Sequence, residues 1–215
     1  MPVRAVVLDI GETVLDDTRE WHAWADWIGV RRHTFSTVLG AVTATGRDNA
    51  ETFRYFKPDF DVAAERQRRE ETGNGEQIGE SDLYPDVRPA LAELRQKGLW
   101  VGLAGNQTTK AGRLLRDLDL PVDAIATSAE WGVAKPDPVF FQRVVELADV
   151  AASDLLYVGD HRDNDVIAGH RAGLWTALIR RGPWGHLWAD DPAVQASADW
   201  VIDSLAELPK LVART

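Results

Sequence analysis

The chain has 215 residues, 45% of them hydrophobic, and a formal net charge of −10. That length holds one large domain or a core with a modest insertion, and so acidic a molecule repels nucleic acid and anionic membranes. There is no cysteine, which excludes disulfides, thiolate catalysis and cysteine-bound zinc.

The opening run RAVVLDI (4–10) lacks polar alternation and reads as a strand buried on both faces. It is too short for a signal peptide, and no stretch is long enough to span a bilayer, so the cytoplasm is the expected location. The run ends in Asp9, and Gly11 marks a sharp exit. Residues 16–83 then show no strand-like run. Trp21, Trp24 and Ile28 share one helical face, Phe53, Phe56 and Phe60 continue the aromatic theme, and 61–72 reads as a charged, exposed helix before a loop at 73–82. From residue 84 strands and helices alternate. In 86–97, Val87, Leu91 and Leu94 lie on one helix face, with Gly98 as the stop. LWVGLAG (99–105) and AIATS (124–128) are the next strands. A helix over 137–148 opens with Asp137 as N-cap and Pro138 at its first position. DLLYVGD (154–160) is a strand, 165–172 a helix with Asp165 as its expected cap, and WTALIR (175–180) a final strand. The alternation predicts an α/β fold: a Rossmann-like, doubly wound parallel sheet formed by 1–15 and 84–215, with an all-helical insertion at 16–83.

Ligands of such sheets bind at the carboxyl ends of the strands. Those ends carry Asp9 and Gly11, Gly105 and Asn106, and Asp160, Asp163 and Asp165, while Lys135 stands just before the helix capped by Asp137. Paired carboxylates suit a hard cation such as Mg²⁺. A further carboxylate can act as nucleophile in phosphoryl transfer, and a lysine can neutralise the transferred group. Asp163 reads as a solvated residue. The histidines have no zinc spacing, although His161 directly follows Asp160. No GxxxxGK[ST] loop or GxSxG elbow is present.

The segments VVLDIGETV, VGLAGNQ, GVAKPDPVFF and LLYVGDHRDNDV, in this order, resemble the haloacid dehalogenase-like hydrolases that carry a helical cap after the first motif. YPDVRPALAELRQKG resembles that family's return to the core. The resemblance implies a Mg²⁺-dependent phosphatase acting on a small phosphorylated metabolite through an aspartyl-phosphate on Asp9. It implies Lys135 as the charge-stabilising residue. It makes Asp9, the Gly11 carbonyl, Asp160 and Asp165 the metal ligands, and it sets Thr13, Gly105 and Asn106 at the phosphate. Oligomeric state is left open.

Two departures stand out. The family's phosphatases usually carry an aspartate at the Gly11 position, which protonates the leaving group and later activates water. They also usually carry Ser or Thr at the Gly105 position, of which only the backbone N–H remains here. Three readings follow. Another group replaces the acid, with Glu12 or water ahead of Asp16 and Asp17. Or the reaction differs, as in a metal-independent 2-haloacid dehalogenase or a phosphonate-cleaving relative with a cap lysine, for which Lys57 is the one candidate. Or the chain binds without turnover. The retained acid pair favours Mg²⁺. The tryptophan stripe is expected to pack the cap, with Trp24 as the indole able to wall a substrate pocket.

Overall fold

A computed structural model describes residues 3–214 of the chain. Among them a single parallel sheet is formed by β1 (Ala5–Leu8), β2 (Trp100–Gly105), β3 (Ala124–Thr127), β4 (Leu155–Gly159), β5 (Trp175–Ile179) and β6 (Trp200–Ile202). Its order is β3-β2-β1-β4-β5-β6, the doubly wound order in which the chain reverses direction across the sheet beside the first strand. Leu8 pairs with Leu103 on one side and Val158 on the other. The carboxyl ends of β1, β2 and β4 therefore lie side by side, and Asp9 leaves the sheet at the switch point.

The strands are uniformly apolar because both faces are covered. Every residue of β1 and β4 is buried. The helix Pro138–Ala148 lays Phe140, Phe141, Val144 and Ala148 into the core. Phe141 meets Tyr157 edge-on at 5.2 Å, and the buried Tyr157 hydroxyl donates to the Ala104 carbonyl at 2.7 Å, tying β4 to β2. Burying a phenyl ring contributes about 1.5–3 kcal/mol, so the strands that carry the site rest on a well-packed core.

β6 was not expected. It has only three residues, flanked by Asp199 and Asp203, and such a run carries no usable periodicity. Its pairing is prepared by Asp199, whose carboxylate accepts the Thr176 N–H at 2.8 Å. The helix expected at 165–172 also differs. Residues Arg162–Ile167 form a wide π-type turn before the short helix Ala168–Arg171. His161, not Asp165, caps it: its Nδ1 accepts the Asp163 and Asn164 N–H groups. Asp165 lies inside the turn, where it is directed at the site.

Two compact units divide the chain, Met1–Asp16 with Gly79–Thr215 and Asp17–Ile78. Residues 79–83 go with the sheet because the outgoing and returning segments pair. Asp16 N–H donates to the Asp82 carbonyl, Tyr84 N–H donates to the Val14 carbonyl, and Leu15 bridges Leu83.

The second unit is helical, with Thr18–Ile28, Arg32–Ala44, Thr52–Phe56 and Val62–Glu71 as its helices. Its core gathers Trp24, Ala25, Ile28, Phe35 and Phe53. The helix at 62–71 is not wholly exposed as its charge suggested. Arg69 is 2% exposed, pairs with both oxygens of Glu20 at 2.6 and 3.1 Å, and places its guanidinium 4.1 Å from the Trp24 ring centre. Trp24 is itself buried, with Phe53 against it at 5.0 Å. Its indole belongs to this unit's own core, which leaves the pocket-wall role without support. Lys57 is exposed.

Candidate active site

The turn after β1 is closed by Thr13, Val14 and Leu15 N–H groups that all donate to the Ile10 carbonyl. Closing it requires Glu12 in the left-handed region, at φ +50°, a conformation disfavoured for a side chain with a Cβ. Neighbours hold it there. The Tyr84 hydroxyl donates to Glu12 Oε2 at 2.7 Å, Arg181 Nη1 donates to the Thr13 carbonyl at 2.6 Å, and the Arg181 guanidinium lies 4.2 Å from the Tyr84 ring centre. Asp86 pairs with Arg181 and also accepts Ser204 Oγ and Leu205 N–H. None of Tyr84, Asp86 or Arg181 was singled out from the sequence. Tyr84 and Asp86 sit in the segment that re-enters the core, and nothing in that pattern marks them as bracing the first turn.

Asp9, Asp160 and Asp165 come together within 4.8 Å, measured between one ligand atom of each, and all are buried. Lys135 is 6% exposed. Its ammonium bridges Asp9 Oδ1 at 2.6 Å and Asp165 Oδ1 at 2.5 Å. Asp165 Oδ2 accepts the His161 N–H at 2.8 Å, so both oxygens of Asp165 are engaged. Gly159 lets it approach, since a Cβ there would stand 2.2 Å from Asp165 Oδ2. Asn106 is exposed, and its amide is spent on the lysine loop: Nδ2 donates to the Lys135 carbonyl at 2.9 Å, and Oδ1 accepts the Lys135 N–H at 2.8 Å. Gly105 has a specific reason to lack a side chain, because its Cβ would lie 2.5 Å from Asp9 Oδ1. The carboxylate of Asp9 fills the space of the missing side chain.

Burial pushes the Asp9 carboxyl up to about 6, against the pull of Lys135 and with the Asp165 charge adding to the rise. Burial also raises Asp160 well above its usual range, followed by the charges of Asp165, Asp9 and Glu12. Burial alone would push Lys135 down, but Asp165 and Asp9 outweigh it and hold its ammonium charged. One carboxylate oxygen of the cluster, Asp160 Oδ2, is buried without a hydrogen-bond partner, whereas Asp9 Oδ1 has the Lys135 ammonium at 2.6 Å. Thr13 Oγ1 is likewise buried and unpartnered. An orphaned buried oxygen costs about 1–3 kcal/mol, more when charged, and the three gathered carboxylates could hold a cation. An all-oxygen donor set selects a hard one.

His161 stands at this edge but is fixed by packing, 4.5 Å from Trp184 and 5.1 Å from Trp188 between ring centres. Burial, then Lys135, depresses it to about 4. Asp163 pairs with Arg162 at 2.9 Å.

The family model of the haloacid dehalogenase-like hydrolases matches residues 3–173, a span that holds Asp9, Gly11, Lys135, Asp160 and Asp165. The chain belongs to the haloacid dehalogenase-like hydrolases. It is 34% identical over 140 residues to a ribulose-1,5-bisphosphate 5-phosphatase of Halopiger xanaduensis, covering 63% of this chain and 59% of that protein. It is 37% identical over 106 residues to a glyceraldehyde 3-phosphate phosphatase of Methanopyrus kandleri, covering 47% of this chain and 45% of that one. The chain thus spans about half of the length of these curated relatives. The crystal structure of a phosphatase of this family from Thermococcus onnurineus matches with a TM-score of 0.61 at 22% identity, over 98% of both chains, a likeness of fold. Among the described residues no helix is long and apolar enough to cross a membrane.

Proposed function

We propose that this hydrolase is a Mg²⁺-dependent phosphatase of a small phosphorylated metabolite, working through an aspartyl-phosphate on Asp9. The observation that carries the reading is the buried carboxylate cluster bridged by Lys135, with Asp160 Oδ2 left without a hydrogen bond. The named activities of the curated relatives support the phosphatase class. Asp9, Asp160 and the Gly11 carbonyl would hold the cation. Asp165, with both oxygens engaged, would act through Lys135 and the 161–165 turn. The cation supplies charge neutralisation at the phosphoryl oxygens. Asp9 attacks phosphorus, and the bond to the leaving oxygen breaks with its electron pair staying on that oxygen. Lys135 faces the charge that builds on the transferred group, in a site dry enough for that charge to be felt strongly. Water then attacks phosphorus and frees Asp9 and phosphate. The surplus of carboxylates over the single ammonium argues against a metal-independent dehalogenase, which would have no use for the orphaned Asp160.

Glu12 is not assigned the missing acid's part. Its carboxylate accepts the Tyr84 hydroxyl, and its charge acts on Asp160, whereas Asp9 is set chiefly by burial, Lys135 and Asp165. We give it the place of a brace for the first turn. Thr13 and the Gly105 N–H remain the candidate phosphate contacts, and the cytoplasm the proposed location.

The test is release of 4-nitrophenolate from 4-nitrophenyl phosphate with and without Mg²⁺. Wild type is expected to depend on the metal, and Asp9→Asn to lose on the order of 10⁴–10⁶-fold in rate, the scale seen when a covalent nucleophile is removed. Equal rates for the two proteins would sink the mechanism.

A further inference from the structure

The supply of protons around Asp9 limits which bonds it can break. A departing alkoxide must be protonated as it leaves, and a positioned general acid is worth about 10²–10⁴-fold for such a group. Departing carboxylates and phosphates need no proton, because they are stable anions at neutral pH.

Among the described residues that form the site around Asp9, none is a positioned acid. Position 11 is glycine, and at position 105 the Asp9 carboxylate occupies the space of the absent side chain. The Lys135 ammonium is drawn into two carboxylates. Asp165 accepts at both oxygens, from Lys135 and from the His161 N–H. Glu12 accepts the Tyr84 proton rather than offering one. His161 is committed by its geometry, with Nδ1 accepting two backbone N–H groups and the ring packed against two indoles. Thr13 offers an alcohol, a poor acid, on a buried atom. Asp160 is the remaining carboxyl, and it belongs to the cation.

Resting on the phosphatase reading, we infer that the substrate is a phosphoric anhydride, an acyl phosphate or a diphosphate, and not the phosphate monoester of an alcohol. In the first step the Asp9 oxygen bonds to phosphorus, the anhydride P–O bond breaks, and the carboxylate or phosphate departs with the electron pair and no proton. The same missing group would have drawn a proton from water in the second step. Hydrolysis of the aspartyl-phosphate is then the slower half, and the intermediate accumulates.

The experiment compares kcat/KM of the intact wild-type protein with Mg²⁺ on acetyl phosphate, 4-nitrophenyl phosphate, phenyl phosphate and glycerol phosphate, with Gly11→Asp alongside. The inference expects a fall of about 10²–10⁴-fold in kcat/KM from the least to the most basic leaving group, the full worth of an absent acid. It expects Gly11→Asp to flatten that fall chiefly by raising the glycerol phosphate rate, and 4-nitrophenolate to appear in a burst of about one per wild-type site. The wild-type series decides by itself if the variant does not fold. Glycerol phosphate turned over as readily as acetyl phosphate would overturn the inference, with a proton arriving from elsewhere, and would leave the phosphatase reading standing. No turnover of any of the four would overturn that reading and the inference with it.

Discussion

Replacing Lys135 by methionine is expected to lower turnover of a phosphorylated substrate by about 10²–10³-fold and, in the same protein, to lower stability by about 3–5 kcal/mol. Methionine keeps most of the lysine stem's volume, so packing changes little and the loss is one of charge. The ammonium lies 2.6 Å from Asp9 and 2.5 Å from Asp165. These side chains are only 11% and 1% exposed, too little for water to take over. Removing the cation leaves buried carboxylates facing one another, the costly half of a broken buried pair. The penalty is largest at neutral pH, where Asp9 is ionised. It shrinks as pH falls, because the Asp9 carboxyl, raised to about 6 in the folded state, takes up its proton there before it does in the unfolded chain. Lys135→Arg is expected to rescue little, since a planar guanidinium does not fit a pocket cut for a compact ammonium beside the Tyr157 and Phe140 rings. Steady-state kinetics with Mg²⁺ and thermal unfolding at several pH values check both effects. Unchanged turnover in Lys135→Met would remove the lysine from the mechanism.

How much of this was legible in the sequence follows from what each feature depends on. β1, β2, β4 and β5 announce themselves because a strand covered on both faces must be apolar at every position. The helix Pro138–Ala148 does so because its cap and first-turn proline are local chemistry. β6 is short and at an edge, so its existence depends on β5 and is invisible locally. The site behaves in the same way. Asp9, Lys135, Asp160 and Asp165 are readable because they sit at strand ends or in ordered motifs. What each does with its atoms is not, because that depends on partners far off in the chain. Asp165 reads as a helix cap, a part that His161 takes, while its own oxygens meet Lys135 and the His161 N–H. Asn106 looked like a phosphate neighbour, and it clamps the lysine loop. Glu12 reads as a substitute acid, and only the fold shows that the Tyr84 hydroxyl, 72 positions away, donates to it. Arg69 looked exposed because a charged helix usually is, and it is buried by Glu20 and Trp24 in the same unit. The glycine at position 105, an omission in the sequence, becomes intelligible once Asp9 is seen to fill its space.

Asp160→Asn is expected to make the metal-free protein more stable and the metal-loaded comparison less so. Asp160 is 3% exposed, its Oδ2 has no partner, and burial, then the charges of Asp165, Asp9 and Glu12, raise its carboxyl well above the usual 3.8. The sign follows from linkage. A carboxyl raised in the folded state opposes folding at every pH above its unfolded value, most fully once it is ionised in both states, and opposes nothing below that value, where both states are protonated. Removing the charge therefore stabilises at neutral pH, by about 0.5–2 kcal/mol on the scale of relieved functional strain. Each kcal/mol raises Tm by about 2–4 °C in a chain of this size. The gain disappears as pH falls toward 4. With Mg²⁺ the order reverses. Wild type gains about 2.7 kcal/mol when the cation stands at a hundred times its Kd, while the amide, lacking a negative charge, holds a hard cation poorly. Calorimetric unfolding of both proteins, with and without Mg²⁺, reads the crossing directly. A variant less stable than wild type at neutral pH without metal would show that Asp160 is a structural residue, and that its orphaned oxygen is not there for a cation.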